Sequence, residues 1–166
     1  MMKRVIPLLL AALLLFACGT TALNPYSSDV FDADLPYTFE RVANVDILCF
    51  APYGDPLRSS SITFYTTELN WYFDTFSSDE YLAALKTLCG YEELELSEVR
   101  DCRVDGNPAK RIACKVQIDQ GTHDLILYAI NADQTYFFTL LNRDSDSFID
   151  AFDAMMQSLH LKGLRS

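Results

Sequence analysis

The chain of 166 residues reads as an α+β domain: an antiparallel sheet of about six to seven strands with helices packed on it. Three observations predict this class. Apolar and charged residues alternate over Leu94–Ile118, the period of strands with one face buried. Two segments, Ser77–Cys89 and Ser147–Leu159, carry apolar stripes at helical spacing behind capping residues. Eleven Phe, nine Tyr and one Trp supply the large side chains a sheet core needs.

The N-terminus is read separately from the domain. Met1-Met2-Lys3-Arg4 is a short positive stretch, and Val5–Phe16 is an apolar run of twelve residues. A spanning helix needs about 20, so residues 1–17 read as an export signal. The alternative, a buried first helix of the fold, fits Pro7 and the order of charge less well. Leu15-Phe16-Ala17-Cys18 resembles a bacterial lipobox, with an aliphatic residue three before the cysteine and a small one just before it. Phe16 is bulkier than the usual occupant of its place. The resemblance implies cleavage before Cys18 and a lipid on its thiol, so that the lipid bilayer is a partner and the chain sits on the extracytoplasmic face of a bacterial cell membrane. Two or more acyl chains make such an anchor stable where one does not. Residues 18–36 then read as lipidated cysteine and flexible tether, with an average reach of roughly 20–25 Å.

The whole chain carries a formal charge of −10, and residues 1–17 contribute Lys3 and Arg4 without any acid. The remainder has 11 basic against 23 acidic residues, a balance of −12. Such a surface repels phosphate backbones and anionic headgroups, which argues against nucleic-acid binding and against electrostatic membrane attachment.

Residues 37–163 form the expected single domain. Tyr37–Val42 and Val45–Pro52 read as strands, the second with Val45, Ile47, Cys49 and Ala51 on one face. Tyr53-Gly54-Asp55-Pro56 is a turn or loop, and Ser60–Thr66 is a third strand. Ser77 and Glu80 form a capping box for a helix that Gly90 ends. In the next strand Leu94, Leu96, Cys102 and Val104 share one parity; after a turn at Asp105–Pro108, Ile112, Cys114, Val116 and Ile118 face inward. His123–Ile130 and Thr135–Leu141 are apolar on both parities, as strands covered on both faces are. Asp144, Asp146 and Asp150 crowd the start of the last helix, where Ser147 and Asp150 suggest a second capping box.

The order strand, strand, strand, helix, four-strand meander, helix, with Val104-Asp105-Gly106-Asn107-Pro108-Ala109 at the meander's first turn and the Phe152–Leu159 helix before a short tail, resembles PsbP-like domains. The resemblance covers roughly Tyr37–Lys162 and implies an α/β/α sandwich with a binding or accessory role, mostly without catalysis. No family site residue maps onto this chain.

The chemistry-bearing residues are few. With Cys18 set aside, Cys49, Cys89, Cys102 and Cys114 are an even number in an exported chain. Cys102 and Cys114 flank one turn, and Cys49 and Cys89 lie on a strand and a sheet-facing helix stripe. Disulfides 102–114 and 49–89 are therefore the favoured pairs, against the alternative of four buried thiols. No C-x-x-C spacing suggests zinc. His123 and Asp124 are adjacent, so on a strand they point to opposite faces. Neither His123 nor His160 stands in a G-x-S-x-G, H-E-x-x-H or P-loop context. Asp29, Asp32 and Asp34, and Asp144, Asp146, Asp150 and Asp153, are oxygen-rich sets, but helix capping accounts for the second set more simply than calcium. Trp71, Tyr72, Phe73, Phe76 and Tyr136–Phe138 line either a core or a ligand groove, the core being favoured. The expectation is a non-enzymatic binding or accessory module with no cofactor or metal, facing a protein or small-ligand partner. The alternatives are a hydrolase built on the acids and His123, and a structural envelope component.

Overall fold

The structure is a computed structural model and describes residues 23–163 except 44, 46, 57–58, 68–76, 120 and 144–146. The first strands come earlier than expected. Leu23–Ser27 (β1) and Phe31–Pro36 (β2) pair antiparallel, inside the stretch read as tether. The reason is burial: Phe31, Ala33 and Leu35 alternate inward along β2 and are almost fully covered. Polar and turn residues around them masked this short alternation. Residues 18–22, the rest of the stretch expected to be a tether, lie outside the described residues.

Seven further strands make the large antiparallel sheet: Phe39–Arg41 (β3), Leu48–Pro52 (β4), Ser61–Thr67 (β5), Leu94–Val104 (β6), Asn107–Ile118 (β7), Gly121–Asn131 (β8) and Thr135–Asn142 (β9). Their spatial order is β3-β4-β5-β9-β8-β7-β6. Two meanders thus meet at β5 and β9. The helix Ser78–Cys89 (α1) carries the chain from β5 near the middle to β6 at the edge. The helix Ile149–Ser158 (α2) follows β9, and the short strand His160–Leu161 (β10) joins β2 to complete a three-stranded sheet.

The sheet is covered on both faces, as its doubly apolar central strands predict. On one face Ile126, Tyr128, Ile130, Tyr136, Phe138 and Leu140 pack against Phe152, Met155 and Met156 of α2 and Phe31 of β2. On the other, Ile112, Cys114, Val116, Leu125, Leu127, Phe137 and Leu141 pack with Leu85 of α1. The result is an α+β sandwich with α1 on one side and α2 with the small sheet on the other. Among the described residues no helix is long and apolar enough to cross a membrane.

The two helices begin differently. Ser77 accepts the Glu80 backbone N–H, and the Glu80 carboxylate accepts the Ser77 N–H at 2.7 Å, so the capping box of α1 forms as expected. Gly90 ends α1 at φ +73°. The second capping box does not form: α2 begins after Phe148 with no side-chain cap hydrogen bond. Asn142, at the end of β9, reaches across instead and accepts the Phe148 N–H at 3.1 Å.

The favoured disulfides are absent: Cys49, Cys89, Cys102 and Cys114 are all free thiols. The turn explains the first pair. It is a two-residue hairpin turn, Asp105-Gly106, with φ +49° and +76°, and it sets Val104 opposite Asn107. Opposed residues therefore have opposite parity, so Cys102 faces Ala109 on the α2 side while Cys114 belongs to the α1 side. A β-bulge between Leu96 and Glu98 then switches faces again and returns Leu94 and Leu96 to the α1 side. The four residues read as one face are thus split between two. The other pair is separated by packing, since Cys49 sits in a small cluster with Val42 and Ala51, and Cys89 packs at the end of α1.

Candidate functional site

The best candidate site lies on the α1 side of the sheet. Among the described residues, the face of β5 that looks to the α1 side of the sheet is only partly covered. A cleft of about 340 Å³ opens there, lined by Ile47, Ser61, Thr63, Tyr65, Cys89, Tyr91, Leu125, Thr139 and Leu141. It falls at the small end of the usual range for ligand sites. Ile47 is half exposed at its mouth.

The lining is apolar with hydroxyls and carries no ionised side chain. Ser61, Thr63 and Tyr65 are the α1-facing residues of β5, and Thr139 stands opposite Thr63 on β9. Tyr65 stacks on Phe137 with ring centroids 5.0 Å apart. Its hydroxyl lies beside that of Thr139, and both oxygens are buried without a well-formed hydrogen bond. An unsatisfied buried hydroxyl is costly, so this pair is where a polar group could add most. Burial pushes the Tyr65 phenol far up, so it is a neutral donor across the physiological range. Burial, followed by the neighbouring Cys114, pushes the Cys89 thiol up to about 12, and burial pushes Cys114 up to about 11. Thiols so protonated are poor nucleophiles. The cleft can hold a neutral, mainly apolar molecule; nothing in its lining is activated for chemistry.

A second polar cluster lies on the opposite face. Arg111 of β7 donates to Asp153 of α2 through Nε at 2.9 Å and Nη2 at 3.1 Å, and through Nη1 to Glu98 at 3.2 Å. The Tyr128 hydroxyl donates to Asp153 at 2.8 Å. Burial alone would lower the Arg111 pKa, but the Asp153 hydrogen bonds and charge outweigh it and hold it high. Every group is engaged, so the cluster is a clamp between α2 and the sheet.

The other sequence candidates are dispersed. His123 stands opposite Val116, while Asp124 points to the other face and accepts from Lys115 at 2.5 Å. Neither lines the cleft. His160 Nδ1 lies 3.2 Å from Asp105, and Asp32 pairs with Lys162 at 2.7 Å. Among the described residues no group of three or more His, Cys, Asp or Glu could hold a metal ion. Tyr136, Phe137 and Phe138 are fully buried in the core; Trp71, Tyr72, Phe73, Phe76, Asp144 and Asp146 lie outside the described residues, as does Cys18. Sequence reasoning missed the cleft hydroxyls and the Arg111 clamp. The available signal was hydroxyls alternating with Ile62 and Phe64 in Ser61–Tyr65, and Thr139 inside an otherwise apolar strand.

The fold and its uncharged cleft define an α+β sandwich with room for a small ligand beside the end of one helix. No family model matches the chain, and no curated protein matches it in sequence. Similar solved structures exist. Cyanobacterial PsbP from Synechocystis sp. PCC 6803 is 17% identical, with 87% of this chain and 95% of that one covered and a TM-score of 0.62. LpqN of Mycobacterium tuberculosis, described as involved in cell envelope biogenesis, is 11% identical, with 79% and 82% covered and a TM-score of 0.56. At these identities the shared property is the fold.

Proposed function

We propose that this chain is a lipid-anchored extracytoplasmic protein of PsbP-like fold that acts as a non-enzymatic binding or accessory module at the cell envelope. Residues 1–17 serve as its signal, Cys18 carries the lipid, residues 19–22 form a short tether, and 23–163 form the binding domain. The observation that carries the binding reading is the cleft beside the C-terminal end of α1, whose lining offers apolar contact and hydroxyls but no ionised or activated group. The fold likeness to LpqN, described as involved in cell envelope biogenesis, supports a place at the envelope, and the lipobox-like stretch supports the anchor. The ligand is a compact neutral molecule, apolar over most of its surface, with one hydrogen-bonding group for Tyr65 and Thr139.

Two experiments test this. Metabolic labelling with a fatty-acid probe labels the wild-type chain and not Cys18→Ala; equal labelling would remove the anchor. Native mass spectrometry of the chain released from its own membranes shows an added mass that organic extraction removes. Bare chain under the gentlest conditions contradicts the binding reading and leaves a structural envelope role.

A further inference from the structure

Strand β6 is one edge of the large sheet, with β7 on its inner side and no strand of the described residues on its outer side. At 11 residues it is long for an edge. Bulges and charges are the usual protection of such edges, and the bulge between Leu96 and Glu98 guards one end. Just beyond the bulged Ser97 the short run Glu98-Val99-Arg100 complements itself. When two copies are laid antiparallel about a twofold axis at Val99, Glu98 of each stands opposite Arg100 of the other.

A second observation points the same way. Within the chain Arg100 stands directly across from Arg111, a like charge, an unfavourable cross-strand pairing. Its neighbours on the strand are satisfied: Glu98 accepts from Arg111 at 3.2 Å, and Asp101 pairs with Lys110. Among the ion pairs of the described residues Arg100 has none. Glu98 and Arg100 lie on the same sheet face, opposite Ala113 and Arg111 of β7. Glu98 is half exposed and retains acceptor capacity for a second cation.

We propose that this edge is a self-association surface: two copies pair through β6 about Val99, joining their sheets edge to edge with reciprocal Glu98–Arg100 ion pairs. Main-chain hydrogen bonds supply the attraction and the charges set the register. The contact is small, so association belongs to concentrations of about 10 µM to about 1 mM.

Sedimentation equilibrium of the full chain in mild detergent over that range tests it. The wild type is expected to show a monomer–dimer equilibrium. Arg100→Glu weakens it by about tenfold or more, because carboxylates then face each other. Arg41→Glu, with the same charge change on β3 at the opposite edge of the sheet, stays within about twofold of wild type. Combining Arg100→Glu with Glu98→Arg restores association to within about threefold, and circular dichroism confirms the fold of each variant. A wild type that stays monomeric, equal weakening by Arg100→Glu and Arg41→Glu, or a swap that fails to restore association would each overturn the proposal.

Discussion

Substituting Asp153 by Ala removes the carboxylate that accepts two hydrogen bonds from Arg111 and one from Tyr128. The Arg111 side chain is 8% exposed and that of Asp153 25%. Stripping one partner from a buried ion pair costs about 3–5 kcal/mol. Three effects reduce this here. Asp153 is partly hydrated, which weakens the pair. Glu98 remains bonded to Arg111. Alanine also favours a helix over aspartate by about half a kcal/mol. The expected loss is therefore about 2–3 kcal/mol, a fall in melting temperature of about 6–10 °C for a domain of this size. Urea unfolding followed by circular dichroism measures it. The double variant Arg111→Met with Asp153→Leu removes both charges, so it lies closer to wild type than Asp153→Ala does. A loss below about 0.5 kcal/mol for Asp153→Ala, within the range of an ordinary surface change, would refute the clamp.

Further outcomes follow from the thiols and the first helix. In the native chain at pH 8, iodoacetamide labels Cys89 and Cys114 slowly, because burial keeps both protonated; in denaturant they label quickly without reductant. Rapid native labelling of both would contradict their packing. Their folded pKa values lie above the unfolded value of about 8.5, so the unfolded state loses these protons first and stability falls as pH rises above that value towards about 11 and about 12. A pH series of unfolding midpoints that stayed flat through this window would contradict that sign. Ser77→Ala removes the α1 cap at a cost of about 1 kcal/mol. Hydrogen bonds from the Ser77 backbone and hydroxyl hold the Glu80 carboxyl below its usual range. Its stabilisation is therefore present above the ordinary glutamate value and lost as pH falls through the folded one. Ser77→Ala that neither lowered the midpoint nor changed its acid dependence would exclude the capping box.

Much of the layering was legible because it follows from pattern. Thr135–Leu141 is apolar on both parities and lies mid-sheet with both faces covered. Ser77, Glu80 and Gly90 mark the ends of α1 where they stand. What escaped depends on register. One turn two residues shorter than assumed, and one bulge, decide which face Cys102 and Cys114 meet, and parity counting carries straight across both features. Asn142 caps α2 from another element, so no local spacing reveals it. Arg111 looks solvent-facing within an alternating strand until α2 covers it. The cleft is less legible still. Ser61, Thr63 and Thr139 are ordinary strand residues that become a lining only where residues distant in sequence, among them Ile47, Cys89 and Tyr91, meet them.

The binding claim meets its most direct test in a titration with N-phenyl-1-naphthylamine, a neutral apolar fluorophore of a size suited to the cleft. The wild-type chain is expected to enhance its fluorescence saturably. Thr63→Phe, which fills the cleft from β5, is expected to weaken binding by about tenfold or more, in keeping with loss of a buried apolar site. Leu96→Ala, on the same sheet face but outside the cleft lining, should leave it unchanged. Equal binding by the wild type and Thr63→Phe would contradict the account.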